Sequence, residues 1–342
     1  MKSVKQHITA FAELGDYLSQ IDSENTLYSP LMEIVHQSKH RNGWFTEENC
    51  LSALKNWGKA LNENALNQWV SPYEFAENGN KNIGLILAGN IPLVGFHDVL
   101  SVLLCGHNAT IKLSSTDPYL IPFIYKQLIS IDSIFEGRLQ FTENRLENFD
   151  AVIATGSNNT ARYFDYYFAK VPNIIRKNRN GVAVLDGNET KEQLQGLAND
   201  IVQYYGLGCR SIAKVYLPRD YDINLIFGAL YPYANLMDSA KYANNYDYNK
   251  AVFLMSEFDL LDNGFMLLRE SDSFGSPVAC LHYSYYDDLT SLQKTLKDQA
   301  DDIQCISSAL EIENAIPLGE AQSPSLWNYA DGVDPINFLL GL

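Results

Sequence analysis

Cys209 is the residue of this chain best placed to do covalent chemistry. It lies in Tyr205-Gly206-Leu207-Gly208-Cys209-Arg210-Ser211, between an amphipathic segment (191–205) and an apolar run (212–217). A cysteine attacks carbonyl carbon as its thiolate, so such sites stand in open backbone near a cation or a helix end. Gly206 and Gly208 let the chain bend sharply there, and Arg210 is the neighbouring candidate cation. The bland alternative is an inert thiol packed as a small hydrophobe.

The elements that would carry such a site follow from the apolar pattern. Residues 1–80 read as helices. Thr46 is a natural N-cap, followed by Glu47 and Glu48, with Leu51, Leu54, Trp57 and Leu61 at helical spacing. From Lys81 the character changes. The short apolar runs 83–89, 109–114 and 151–154 read as buried parallel strands, each followed by a helical pattern. Pro92 suits the first turn of one helix, and Asp117-Pro118 opens another. Such alternation predicts an α/β fold with a doubly wound parallel sheet, whose ligands bind at the carboxyl ends of the strands. Those ends are Asn90, Lys112 to Ser115, and Thr155-Gly156-Ser157. A second unit begins near Gly181. It has strands at 182–187, 212–217, 265–269 and 277–283 and a helix at 287–297. The expected division is 1–180, with the 310–342 tail packing back onto it, and 181–309 carrying Cys209.

Composition narrows the function classes. The chain has 342 residues, enough for two domains, and a net charge of −16. That acidity argues against nucleic acid as a partner, since phosphate binding needs clustered Lys and Arg. Five scattered cysteines, with no CxxC or HExxH, disfavour a disulfide scaffold and a metal site. Met1 to His7 carry no apolar signal core, and no apolar run reaches the ~18 residues of a membrane span. A cytoplasmic protein is expected. The basic residues Arg176, Lys177 and Arg179 read as a solvated loop or, less favoured, a phosphate contact. His97 and His107 read as helix-face and turn residues.

The motifs together resemble those of the aldehyde dehydrogenase superfamily. Gly89-Asn90-Ile91-Pro92-Leu93, Ile111-Lys112-Leu113-Ser114-Ser115, Thr155-Gly156-Ser157, Gly206-Leu207-Gly208-Cys209 and Ser273-Phe274-Gly275-Ser276-Pro277-Val278 occur in the family's order over residues 83–330. Gly-Asn-Ile-Pro-Leu-Val-Gly-Phe and Ile-Lys-Leu-Ser-Ser-Thr-Asp-Pro look more specifically like the LuxC-type acyl-CoA reductases, as does Ala321 to Trp327. The resemblance implies a Rossmann-like cofactor domain and an α/β catalytic domain. It implies an acyl-enzyme on Cys209, formed from an acyl-CoA or acyl-protein thioester, with Asn90 holding the oxyanion. It also implies a nicotinamide cofactor touched by Lys112, Ser114, Ser115, Thr155, Gly156 and Ser157. Asp272 is the nearest equivalent of the family's ribose-binding acid, displaced by one inserted residue. Ser115 stands where NAD-preferring relatives often carry Glu, so NADPH is favoured over NAD.

One departure bears on the product. The family's water-activating glutamate would fall near Ile175, and the region Asn173 to Arg179 has no carboxylate. An acyl group held there suits transfer to a thiol or reduction by hydride rather than hydrolysis. The expected reaction is reduction of a fatty acyl thioester to a long-chain aldehyde. A CoA-acylating aldehyde dehydrogenase using NAD on short chains, and a non-catalytic binding protein, are the rivals. The family's oligomerisation hairpin is not evident, which leaves a homo-oligomer open.

Overall fold

The computed structural model describes residues 2–75 and 80–342. These form two compact units, Met1–Lys177 with Ser325–Leu342, and Asn178–Pro324. Residues 310–324 stay in the second unit, so the chain returns to the first at Ser325, later than the tail boundary read from the sequence.

The first unit opens with helices α1 (Lys2–Ser19), α2 (Ser29–Arg41), α3 (Glu47–Ala60) and α4 (Glu63–Val70). The Thr46 hydroxyl caps α3 by accepting from the Asn49 N–H at 3.2 Å. A five-stranded, all-parallel sheet follows, in the order β3-β2-β1-β4-β5. Its strands are β1 (Asn82–Ile86), β2 (Asn108–Lys112), β3 (Leu139–Thr142), β4 (Ala151–Thr155) and β5 (Asn173–Arg176). Helices α5 (Phe96–Leu104), α6 (Leu120–Ile131) and α7 (Asn158–Phe168) make the crossovers. Pro92 stands in the turn before α5, four residues ahead of its first helical position, and is not in the helix. The chain winds outward from β1 through β2 to β3, then restarts at β4 on the other side. The crevice between the ends of β1 and β4 is therefore a topological switch point, where such sheets bind ligands.

The C-terminal segment returns to this unit and ends in α12 (Pro335–Leu340). It is latched by aromatic hydroxyls and histidines. Trp69 Nε1 donates to the Tyr329 hydroxyl at 2.9 Å, and the Tyr73 hydroxyl donates to Asp334 at 2.7 Å. His97 and His107 bond the carbonyls of Leu326 and Leu339, at 2.8 and 3.1 Å. Burial lowers the pKa of both rings. Both histidines thus tie the tail to the first unit.

The second unit is a six-stranded sheet in the order β11-β6-β7-β10-β9-β8, parallel except for β8. Its strands are β6 (Asn180–Val184), β7 (Ile212–Pro218), β8 (Leu261–Asp262), β9 (Leu267–Glu270), β10 (Cys280–Tyr286) and β11 (Ile303–Ser308). Helices α8 (Lys191–Val202), α9 (Asn224–Leu230), α10 (Ala240–Met255) and α11 (Leu289–Asp298) complete it. The central strands are buried on both faces, as parallel strands must be. Ala183, Val215, Leu217 and Leu281 pack with α8 on one face; Val182, Val184 and Tyr216 meet Leu292 and Leu296 of α11 on the other. β10 starts at Cys280, not Pro277. Ala279 is left-handed at φ +62°, and proline has no N–H to give a ladder.

Candidate active site

The β1 end is stapled to the β2–α6 loop. The Gly89 carbonyl accepts from Thr116 Oγ1 at 2.7 Å, and Thr116 Oγ1 pairs with Ser114 Oγ at 2.8 Å. A Cβ on Gly89 would lie 2.5 Å from Ser114 Cβ and Oγ, so only glycine permits this approach. Asn90 follows directly and is exposed. Beyond it, Leu93 is buried at φ +60°, a conformation costing a non-glycine residue ~1–2 kcal/mol. Its N–H donates to Asp117 Oδ2 at 3.2 Å. Burial pushes the Asp117 carboxyl up to about 6, against the pull of the Leu93 and Leu120 N–H groups. Asp117 thus braces the Asn90 loop rather than simply opening a helix.

Lys112 closes β2 in register with Ile86, its side chain half-buried. Ser115 is exposed, and its carbonyl accepts from Arg41 Nε at 2.6 Å. Arg41 ends α2 and is far away in sequence. Two cations, Lys112 at the strand end and Arg41 at the Ser115 carbonyl, therefore accompany the Ser114-Ser115 segment. Sequence reasoning missed Arg41, because nothing local links positions 41 and 115.

Across the switch point, Thr155 ends β4 and Gly156 and Ser157 lead into α7. Ser157 Oγ is the N-cap, accepting from the Thr160 N–H at 3.3 Å and pairing with Thr160 Oγ1 at 2.9 Å. A Cβ on Gly156 would sit 3.0 Å from Thr160 Cβ. The result is an exposed helix N-terminus capped by Ser157, and a helix N-terminus favours an anion. The residues present fit a dinucleotide in three respects. There is a glycine at the β4–α7 turn, a helix N-terminus for a pyrophosphate, and Lys112 and Arg41 at the end of β2, two strands away.

The basic cluster is not one surface loop. Arg176 lies on β5, is 7% exposed, and its guanidinium is paired with the buried Asp98 carboxylate of α5. A buried cation needs such a partner. Lys177 meets Asp165 at 3.7 Å and Arg179 meets Asp301 at 3.8 Å. Ile175, where a water-activating carboxylate would fall, pairs with Ala154 in the β4–β5 ladder.

In the second unit α8 begins with a Thr190–Gln193 capping box and ends at Val202. Tyr204, Tyr205 and Gly206 then take left-handed conformations in succession, at φ +54°, +58° and +72°. Gly208 is not left-handed, so the reversal falls on two tyrosines rather than on the second glycine. Cys209 emerges from this reversal, half-buried, just before β7. Arg210 Nε donates to the Ala321 carbonyl at 2.6 Å, so the candidate cation serves as a brace. The other four cysteines are buried, and burial pushes their thiols well up: Cys50 and Cys280 to about 12, Cys305 to about 11, and Cys105 further still. None of those four is suited to act as a thiolate near neutral pH.

Two further features border this turn. A small recess, with room for little more than a water molecule, is lined by Val202, Tyr205, Gly206, Tyr242, Met266 and Val278 among others. On the opposite face of the sheet, Lys214 is 2% exposed, with its ammonium 4.8 Å from the Tyr216 ring and 5.5 Å from the Phe274 ring. Burial depresses Lys214 to about 8, and Asp272 pulls the other way. Asp272 is exposed, on a loop held by His282 Nδ1 donating to the Ser273 carbonyl at 3.1 Å.

Part of the chain is similar to a known family. Residues 76–226 match the acyl-CoA reductase (LuxC) family profile, a segment that includes Asn90, Lys112, Thr155 to Ser157 and Cys209. A long-chain acyl-protein thioester reductase of Photobacterium leiognathi is 24% identical over 193 residues, 52% of this chain. The chain spans only about two fifths (40%) of that relative's length. Among solved structures, an aldehyde dehydrogenase 21 from Physcomitrella patens covers 99% of the chain and is itself covered to 88%, with a TM-score of 0.61 at 12% identity. An indole-3-acetaldehyde dehydrogenase bound to NAD⁺ covers 93%, is covered to 73%, and gives 0.65 at 13% identity. Among the described residues no helix is long and apolar enough to cross a membrane, and no cluster of His, Cys, Asp or Glu could hold a metal ion. Residues 76–226 are thus similar to the LuxC family, and the chain has a fold like that of these aldehyde dehydrogenases.

Proposed function

We propose that the chain is a nicotinamide-dependent acyl-thioester reductase that converts a fatty acyl-CoA or acyl-protein to the aldehyde through an acyl-enzyme on Cys209. The observation that carries this reading is the left-handed reversal at Tyr204, Tyr205 and Gly206, which holds a half-buried thiol at the start of β7 within the matched segment. Strained backbone of this kind marks positions where function overrides local preference.

The Cys209 sulfur attacks the thioester carbonyl, the carbonyl π electrons move to oxygen, and collapse expels the donor thiolate. The Asn90 amide and the Cys209 N–H hold the oxyanion, a donor of this kind being worth ~3–4 kcal/mol in the transition state. A nicotinamide, held by the residues at the β2 and β4 ends, would supply the hydride that reduces the acyl carbon. Breaking the carbon–sulfur bond then releases the aldehyde and restores the Cys209 thiolate. No carboxylate stands at Ile175 to activate water, which supports reduction over hydrolysis.

The cofactor assignment is NADPH. The exposed N-terminus of α7 suits the pyrophosphate, with Thr155, Gly156 and Ser157 around it. Lys112 and Arg41 carry the charge a 2′-phosphate needs, Arg41 lies at the Ser115 carbonyl beside Ser114, and no acid stands at 115. Asp272 is assigned to the nicotinamide ribose. These roles divide between two units, a cofactor unit containing Asn90 and a catalytic unit containing Cys209. The test is NADPH oxidation across an acyl-CoA chain-length series, with the aldehyde product identified. Stoichiometric aldehyde for NADPH consumed supports the reading; release of free acid without NADPH consumption defeats it.

A further inference from the structure

The turn carrying Cys209 is held from outside by a segment the proposed chemistry does not use. Asp200, in the last turn of α8, is 0% exposed. One carboxylate oxygen accepts from the Gly319 N–H at 2.7 Å, the other from the Ala321 N–H at 3.1 Å. The segment 317–322 lies flat on the helix, since a Cβ on Gly196 would come 2.7 Å from the Leu318 carbonyl oxygen. From that segment two bonds return to the nucleophile turn. Arg210 Nε donates to the Ala321 carbonyl at 2.6 Å, and Gln322 Nε2 donates to Ser211 Oγ at 3.1 Å. Ala321 thus spends its N–H on Asp200 and its carbonyl on Arg210. A single residue links the buried carboxylate to the neighbour of Cys209. From the other side Cys305 Sγ donates to the Arg210 carbonyl at 3.7 Å.

We propose that Asp200 is a positioning residue for Cys209, locking the 317–322 segment against the turn so that the strained reversal keeps the thiol in one place. Two left-handed tyrosines store backbone strain, so an unbraced turn would relax to ordinary backbone. A fully buried carboxylate is itself costly and persists only where its hydrogen bonds are used. Here both oxygens hold backbone that leads to the site. The charged and titratable groups facing Asp200 are Arg210 on the turn, Glu320 on the segment and Cys305 on β11. Burial raises the Asp200 carboxyl to about 6. The ion that accepts both bonds therefore prevails at neutral pH and is lost as pH falls through that value.

The inference rests on Cys209 being the nucleophile, and its test separates the two. Peptide-resolved alkylation of Cys209 by iodoacetamide is measured at pH 7.5 and about pH 5 in wild type, Asp200→Asn, Arg210→Lys, the double variant, and the exposed control Glu320→Gln. Asn copies the shape of the protonated acid at every pH. The Cys209 rate in Asp200→Asn should differ from wild type by about tenfold at pH 7.5, the scale of one buried charge-assisted hydrogen bond, and approach it at pH 5. Arg210→Lys cuts the same link with Asp200 intact, so the double variant should be no worse than either single one. Glu320→Gln should match wild type. Agreement between wild type and both single variants at pH 7.5, or a difference that does not change with pH, overturns the proposal. In parallel, acyl-CoA replaces iodoacetamide on wild type. If no acyl adduct forms on Cys209, the proposed function fails while alkylation still decides the role of Asp200.

Discussion

Replacing Arg41 with alanine probes cofactor recognition at a residue that backs directly onto Ser115. Its Nε donates to the Ser115 carbonyl at 2.6 Å, which holds the guanidinium at the β2–α6 loop. A 2′-phosphate carries close to two negative charges near pH 7, and a guanidinium meets it with parallel N–H donors. The site is open to water, so the contribution is that of a screened, charge-assisted contact. We expect Arg41→Ala to lower kcat/KM for NADPH by roughly tenfold while changing NADH by less than about twofold. Ser115→Glu adds a carboxylate against the same phosphate, and should reverse or flatten the preference for NADPH expected of wild type. Lys112→Ala should weaken NADPH more than NADH. The assay is steady-state kinetics with both cofactors at saturating thioester. The ratio of the two kcat/KM values cancels any general damage. If wild type uses NADH better, or if neither Arg41→Ala nor Ser115→Glu moves the ratio, the phosphate is not read at this strand end.

Other outcomes follow from the packing and the buried charges. Gly89→Ala places a Cβ 2.5 Å from Ser114 and should cost ~1–3 kcal/mol, read as a lowered thermal midpoint; an unchanged midpoint would show that the staple gives way. Lys214 is depressed to about 8, so between about pH 8 and its ordinary value of 10.5 the unfolded chain binds more protons than the folded one. Its stability penalty is then full below about pH 8 and relieved as pH rises towards 10.5. Lys214→Met should raise the thermal midpoint at pH 7, with the gain shrinking by pH 10; a gain independent of pH would refute the depressed pKa. Ile175→Glu should divert part of the acyl-enzyme to free acid, detected by product analysis, and an unchanged aldehyde-to-acid ratio would remove position 175 from the site.

The legible parts of the fold were those where local pattern and tertiary demand coincide. β1, β2, β4, β6 and β7 are short apolar runs because parallel strands are covered on both faces. β3 and β5 escaped notice because they are the sheet edges. Leu139–Thr142 alternates only weakly, and Asn173–Arg176 ends in an arginine whose burial depends on Asp98, far away on α5. The same logic governs the site. Strand-end residues such as Asn90, Lys112 and Thr155 stand out because glycines and polar residues break apolar runs. The left-handed tyrosines before Cys209 do not, since nothing in an aromatic side chain announces positive φ. Arg41 and Asp200 act through partners far along the chain, and no local spacing could have linked them.

The central claim is that the acyl group passes through Cys209, and a single-turnover chase tests it most directly. Wild type is mixed with acyl-CoA alone, quenched, and mapped by mass spectrometry; a second portion receives NADPH before quenching. The account predicts an acyl adduct on Cys209 that disappears with NADPH as aldehyde forms, and no adduct in Cys209→Ala at unchanged fold. An adduct on Cys50, Cys105, Cys280 or Cys305, or aldehyde production by Cys209→Ala, would contradict it.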